Sequence, residues 1–174
     1  MSRGKSFVYC YLEFFNQLAQ FILKKLQNLN FKILKDTSKH ILFAGIGNIL
    51  KSDDGIGVYI SNHIKSGNKV SSLTVEVSIE NYIGKINRLN PDILILIDCV
   101  DFKKEPGYFE MLPVHRVRDF TVHTHNISLK RISELFTMPV WILGIQPKDT
   151  SFGEKLSPEI KKTADYLIDL INDT

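Results

Sequence analysis

Three places in this sequence gather side chains able to hold a metal ion or move a proton. They are the adjacent carboxylates Asp53 and Asp54, the carboxylate of Asp98, and the imidazoles of His123 and His125. Hard oxygen and imidazole donors together suit nickel, zinc or manganese. Each residue also has a plainer role open to it. An aspartate at a helix start is commonly an N-cap, one at a strand end caps a turn or pairs with a base, and a loop histidine is usually solvated. No HExxH helix and no GxSxG elbow is present, which removes the zincin and serine-hydrolase readings. Cys99 ends an apolar run and reads as inert core.

The glycine-rich stretch GIGNILKSDDGIG, Gly45 to Gly57, imitates a phosphate-binding turn between strand and helix. Two carboxylates at the helix start would repel a phosphate, however, and the spacing fits neither GxGxxG nor the Walker pattern. Dinucleotide binding is therefore disfavoured.

The elements that must position these residues alternate along the chain. Apolar runs at Ile41–Ile46, Leu73–Val77, Ile93–Ile97 and Pro139–Ile145 predict buried strands. Tyr108–Leu112, after the Pro106-Gly107 turn, predicts an edge strand. Between them, helices are expected over about Gly55–Ile64, Asn81–Leu89 and residues 127–136. A terminal helix starts at Pro158, with Ser157 as N-cap and Ile160, Ala164, Leu167, Ile168 and Ile171 inward. This alternation implies an α/β fold, a three-layer α/β/α sandwich around a mostly parallel five-stranded sheet. In such sheets ligands bind beyond the carboxyl ends of the strands. Asp53-Asp54, Asp98 and the two histidines all follow strands at that rim, which favours their acting jointly.

Composition limits the alternatives. A chain of 174 residues can bury a full core without disulfides. The excess of 22 basic over 19 acidic residues is too small to argue for nucleic acid. Two cysteines, Cys10 and Cys99, make no disulfide framework and fit a reducing, cytoplasmic setting. No run reaches the roughly 18 apolar residues needed to span a bilayer. The basic, apolar start resembles a signal peptide, but Glu13, Asn16 and Gln17 interrupt it without a small-residue cleavage site.

Residues 7–29 predict a helix with two apolar stripes, one through Phe7, Tyr11, Phe14, Leu18 and Phe21, the other through Leu12, Phe15, Ala19, Ile22 and Leu26. So wide a face needs a cover: the main domain, a second copy in a homodimer, or a membrane surface. The expected division is a helical extension over 1–38 and an α/β domain over 39–174.

Four segments together resemble one known family. GIGNILKSDDGIGV (Gly45 to Val58), IDCVDFKKEPG (Ile97 to Gly107), THNISL (Thr124 to Leu129) and GIQPKDTSFGEKLSP (Gly144 to Pro158) are similar, in order, to the four motifs of the nickel–iron hydrogenase maturation proteases. The match spans about residues 40–171, and THN with GIQP resembles the subgroup serving formate-linked and energy-conserving hydrogenases. The resemblance implies an aspartic-type or metal-dependent endopeptidase that removes a C-terminal extension from a nickel-loaded hydrogenase large-subunit precursor. It places the metal-contacting and catalytic set on Asp54, Asp98 and His125, with His123 as the nearest substitute. Nickel would arrive with the substrate, and zinc or cadmium could fill the site in vitro. Two departures stand out. Glu76 and Val77 occupy the place of a family Gly-Thr pair, and the N-terminal helix lies outside most of the match. The rival reading is a non-catalytic, nickel-dependent chaperone of the large subunit.

Overall fold

A computed structural model describes residues 31–36, 38–116 and 129–174. The expected helix over 7–29, together with His123 and His125, lies outside the described residues. The chain divides into two units, Met1–Ile33 and Leu34–Thr174. The architecture that follows belongs to the second.

Five strands form one sheet: β1 (Ile41–Ile46), β2 (Val70–Glu76), β3 (Ile93–Cys99), β4 (Phe109–Pro113) and β5 (Val140–Ile145). Their order across the sheet is β2-β1-β3-β5-β4. All pairings are parallel except the edge pair β4–β5. The α/β fold with a mostly parallel five-stranded sheet is thus the one expected. β1 and β3 are buried along their whole length. That burial explains why they are continuous apolar runs rather than alternating ones.

The two faces of the sheet are covered differently. Leu42, Ala44, Ile46, Leu94, Leu96 and Ile142 pack with Ile86, Ile132 and Phe136 in one core. On the opposite face lies helix α1 (Ile56–His63), which packs on β1, β2 and β3 and against the terminal helix. The other helices are α2 (Ile83–Leu89), α3 (Leu129–Ser133) and α4 (Pro158–Asn172). In α4, Ile160, Ala164, Leu167, Ile168 and Ile171 are buried, the inward stripe that the sequence predicts.

Several boundaries move. β2 begins at Val70, ahead of the expected Leu73, because Val70, Ser71 and Ser72 pair with Ile41, Leu42 and Phe43 through the backbone. Two serines conceal that pairing from any reading based on hydrophobicity. Asp98 does not follow β3 but lies inside it, opposite Gly144. The expected helix over Asn81–Leu89 is a 3₁₀ turn at Ile79–Tyr82 that runs into α2. It ends at Asn90, whose left-handed φ of 46° caps it ahead of Pro91. In the segment expected to be helical to residue 136, α3 ends at Ser133, and short turns continue through Phe136.

Candidate functional site

The sheet reverses its winding at β1, which has β2 on one side and β3 on the other. The carboxyl ends of β1 and β3 therefore flank the topological switch point, where open α/β sheets bind ligands. The first motif crosses this point. After β1, Gly47 takes φ +139°, and a Cβ there would lie 1.9 Å from the Asp54 carbonyl oxygen. Only glycine lets the chain pass so close to the turn that carries Asp54.

A second close approach sets the depth of α1. A Cβ on Gly57 would meet the carbonyl oxygens of Ile46 at 2.1 Å and Ile97 at 2.2 Å. The helix start therefore rests directly on the ends of β1 and β3. Asp54 lies three residues before Gly57, and Asp98 follows Ile97, so this contact brings the two aspartates into one buried space.

Both carboxylates are buried, Asp54 at 1% exposure and Asp98 at 6%. Asp54 Oδ2 accepts the Asn48 N–H at 2.9 Å. Asp98 Oδ1 accepts the Cys99 N–H at 2.7 Å. Burial, and then the neighbouring Asp54 charge, push the Asp98 carboxyl up to about 8. Two hard oxygen donors held close in an apolar setting, each opposing the other's ionisation, fit a divalent cation that would neutralise both. Among the described residues no cluster of three metal-ligating side chains occurs. The expected third ligand, His125, lies outside them. Cys99 is buried in the core, as expected, and burial followed by the surrounding aspartates pushes its thiol far up.

Asp53 has a different role from its neighbour. It is fully buried, and its carboxylate accepts four hydrogen bonds from the β5–α4 loop. Oδ2 receives the N–H groups of Lys148 at 3.0 Å and Asp149 at 2.9 Å, and the Ser157 hydroxyl at 2.9 Å. Oδ1 receives the Ser157 N–H at 2.6 Å. The N-cap expectation thus fails for both aspartates, since Gly55 holds the N-cap position of α1 without a side-chain cap. For Ser157 the expected position holds, although no side-chain cap bond forms. That residue occupies the N-cap position of α4, but its hydroxyl serves Asp53.

The two loops are also joined through their backbones. Lys51 pairs with Gly153 in an isolated parallel bridge. The Ser52 N–H donates to Gly153 O at 2.7 Å, and the Gly153 N–H donates to Leu50 O at 2.9 Å. On the other side of the site, the buried Gln146 organises the loop after β3. Its Nε2 donates to Asp101 Oδ1 at 3.2 Å, and its Oε1 accepts the Lys104 N–H at 3.2 Å. The sequence shows Asp53 and Gln146 only as parts of motifs. Gln146 directly follows β5, where a buried polar residue needs a partner, whereas Asp53 lies in the turn ahead of α1.

The Glu76 departure has a backbone consequence. Glu76 has φ +52° at an irregularity between β1 and β2, and its carbonyl accepts the Gly47 N–H at 3.0 Å. The left-handed conformation that a glycine would hold easily is kept here with a side chain attached.

Comparison with known proteins agrees with this fold. The sequence model of the hydrogenase maturation protease family matches residues 76–174, more than half of the chain and a span that includes Asp98. A candidate hydrogenase maturation protease of Methanocaldococcus jannaschii is 25% identical over 171 residues, covering 88% of this chain and 94% of its own. The crystal structure of a nickel–iron hydrogenase maturation protease from Thermococcus kodakarensis aligns with a TM-score of 0.69 at 28% identity, covering 78% of this chain and 91% of that one. A hydrogenase-maturating endopeptidase of Escherichia coli shares the fold at a TM-score of 0.65 and 22% identity, over 76% of this chain and 89% of that one. With its sheet and its sequence in agreement, this chain belongs to the hydrogenase maturation protease family.

Proposed function

We propose that the protein is an endopeptidase that removes the C-terminal extension of a hydrogenase large-subunit precursor carrying nickel. The observation that best supports this is the pairing of Asp54 and Asp98, two buried carboxylates at the switch point whose charges oppose each other. Such a pair favours a cation over a neutral ligand. Nickel bound in the precursor is then part of the substrate, read by Asp54, Asp98 and His125.

Three protein donors leave room on a metal for the substrate's own ligands. A divalent ion held by Asp54, Asp98 and His125 would supply Lewis acidity toward a carbonyl or water. The chain's own residues do the rest. Asn48 orients Asp54 through Oδ2, the Cys99 N–H orients Asp98, and the Asp53 clamp holds the two loops at their spacing. Among the described residues no helix is long and apolar enough to cross a membrane. A cytoplasmic setting and a homodimer through the N-terminal helix are part of the same proposal.

The test is incubation of purified nickel-loaded precursor with the protein, read by mass. Loss of a C-terminal peptide is expected from the loaded precursor and not from nickel-free precursor in chelator. Efficient cutting of nickel-free precursor would show that the aspartates do not read nickel. Binding of loaded precursor with no change in mass would make the protein a chaperone.

A further inference from the structure

We propose that Ile49, Leu50 and Phe152 form an apolar shelf beside the Asp54–Asp98 centre that seats bulky apolar side chains of the substrate's C-terminal segment near the bond to be cut. Phe152 is 84% exposed, Ile49 56% and Leu50 45%. Large apolar side chains gathered in the open commonly mark a contact surface.

The backbone brings these residues together. Leu50 and Phe152 each directly precede a partner in the Lys51–Gly153 parallel bridge. The bridge therefore holds the backbone at Leu50 close to that at Phe152. The Gly153 N–H bond to Leu50 O closes the same contact, and Ile49 adjoins it in sequence. The loop carrying Phe152 is also braced, because Asp53 holds Lys148 and Asp149 before it and Ser157 after it in sequence. A surface fixed before its partner arrives loses less entropy on binding.

The occupant follows from continuity with the reaction centre and rests on the endopeptidase reading above. Asn48, whose N–H binds Asp54, immediately precedes Ile49. A chain lying on the shelf therefore reaches the aspartates within a few residues. A second copy of this protein on the shelf would instead obstruct the centre from a protein substrate. The chemistry selected is an extended peptide with leucine-, methionine- or phenylalanine-sized side chains, because the three exposed shelf side chains are themselves apolar.

The test uses the full chain with the double substitution Leu50→Ser and Phe152→Ser, beside the single substitution Phe152→Leu. Affinity for nickel-loaded precursor is measured by surface plasmon resonance and cleavage by mass. Affinity of the double variant should fall by about tenfold or more, as loss of apolar anchors does at other interfaces. KM should rise while kcat stays close to the parent's, and Phe152→Leu should recover most of the affinity. Unchanged affinity in the double variant overturns the shelf, as does a parent that fails to bind the precursor. A dimer in sedimentation that only the parent forms would assign the shelf to a second copy and overturn the proposal. Parent protein that binds precursor without cutting it counts against the endopeptidase reading, and the affinity comparison still decides the shelf.

Discussion

Asp53 holds Ser157 twice, through the Ser157 N–H at 2.6 Å and the Ser157 hydroxyl at 2.9 Å. The same carboxylate also takes the Lys148 and Asp149 N–H groups. A simple N-cap is worth about 0.5–2 kcal/mol. Hydrogen bonds to a charged acceptor contribute about 1.5–3 kcal/mol each, and buried donors left bare add a penalty. Asp53→Ala should therefore cost more than a cap, about 3 kcal/mol or above after relaxation. Asp53→Asn should be nearly as harmful, since its amide would point donors at donors. Urea denaturation of both variants measures this, and a loss within the capping range would show that the clamp is not formed.

Asp54→Ala, Asp98→Ala and His125→Ala should each abolish precursor processing. The two aspartates lie at the rim and add little to the apolar core, so those variants should remain folded by circular dichroism. Ordinary cleavage by all three would remove the site assignment.

Asp98 makes stability depend on pH in an unusual direction. Its carboxyl is held up to about 8 in the fold, against about 3.9 in an unfolded chain. Between those values the native state binds the extra proton, so unfolding releases it and stability falls as pH rises. In metal-free protein this contribution should be fully present below about pH 4, fall steadily as pH rises, and be lost above about pH 8. Asp98→Asn should flatten the profile and raise Tm at pH 8 by several degrees. Affinity for zinc or cadmium should move the other way and strengthen as pH rises, because ligation displaces protons from Asp98 and His125. A thermal-shift series across pH, with and without cadmium, reads both effects.

Gly57→Ala should be severe. Its methyl group would meet the carbonyl oxygens of Ile46 and Ile97 at 2.1 and 2.2 Å, and backbone cannot swing aside as a side-chain tip can. Overpacking of this kind costs about 1–3 kcal/mol, and here the upper end is expected. Because α1 must lift from the sheet, Asp54 should separate from Asp98, and cadmium affinity should fall together with stability. Retained affinity in a destabilised variant would uncouple the helix seat from the site.

Glu76→Gly should act in the opposite direction. Releasing a side chain from φ +52° relieves about 1–2 kcal/mol of strain. Glycine gives back about 0.5–1 kcal/mol through its unfolded-state freedom. The net gain should be up to about 1 kcal/mol, seen as a Tm rise of a few degrees. A fall in Tm would show that the Glu76 side chain makes a favourable contact outweighing the strain.

The sequence by itself determined the sheet. The runs Ile41–Ile46 and Ile93–Ile97 are apolar at every position but Gly45, as strands buried on both faces are, and their alternation with helical segments implies the mostly parallel α/β architecture. The motif order likewise gave the family and singled out Asp54 and Asp98. What the residues alone left open was the role of Asp53, the neighbour that the resemblance does not assign to the metal. Tertiary structure decided that, because its carboxylate meets a loop about a hundred residues away and that of Asp54 faces Asp98. Ser157 shows the same limit. Its position before Pro158 predicts a cap, but a charged acceptor across the fold outcompetes the local helix N–H groups. Long-range hydrogen bonds leave no periodic trace in a chain, so the braces of the site became visible only once β1, β3 and the β5–α4 loop had been brought together.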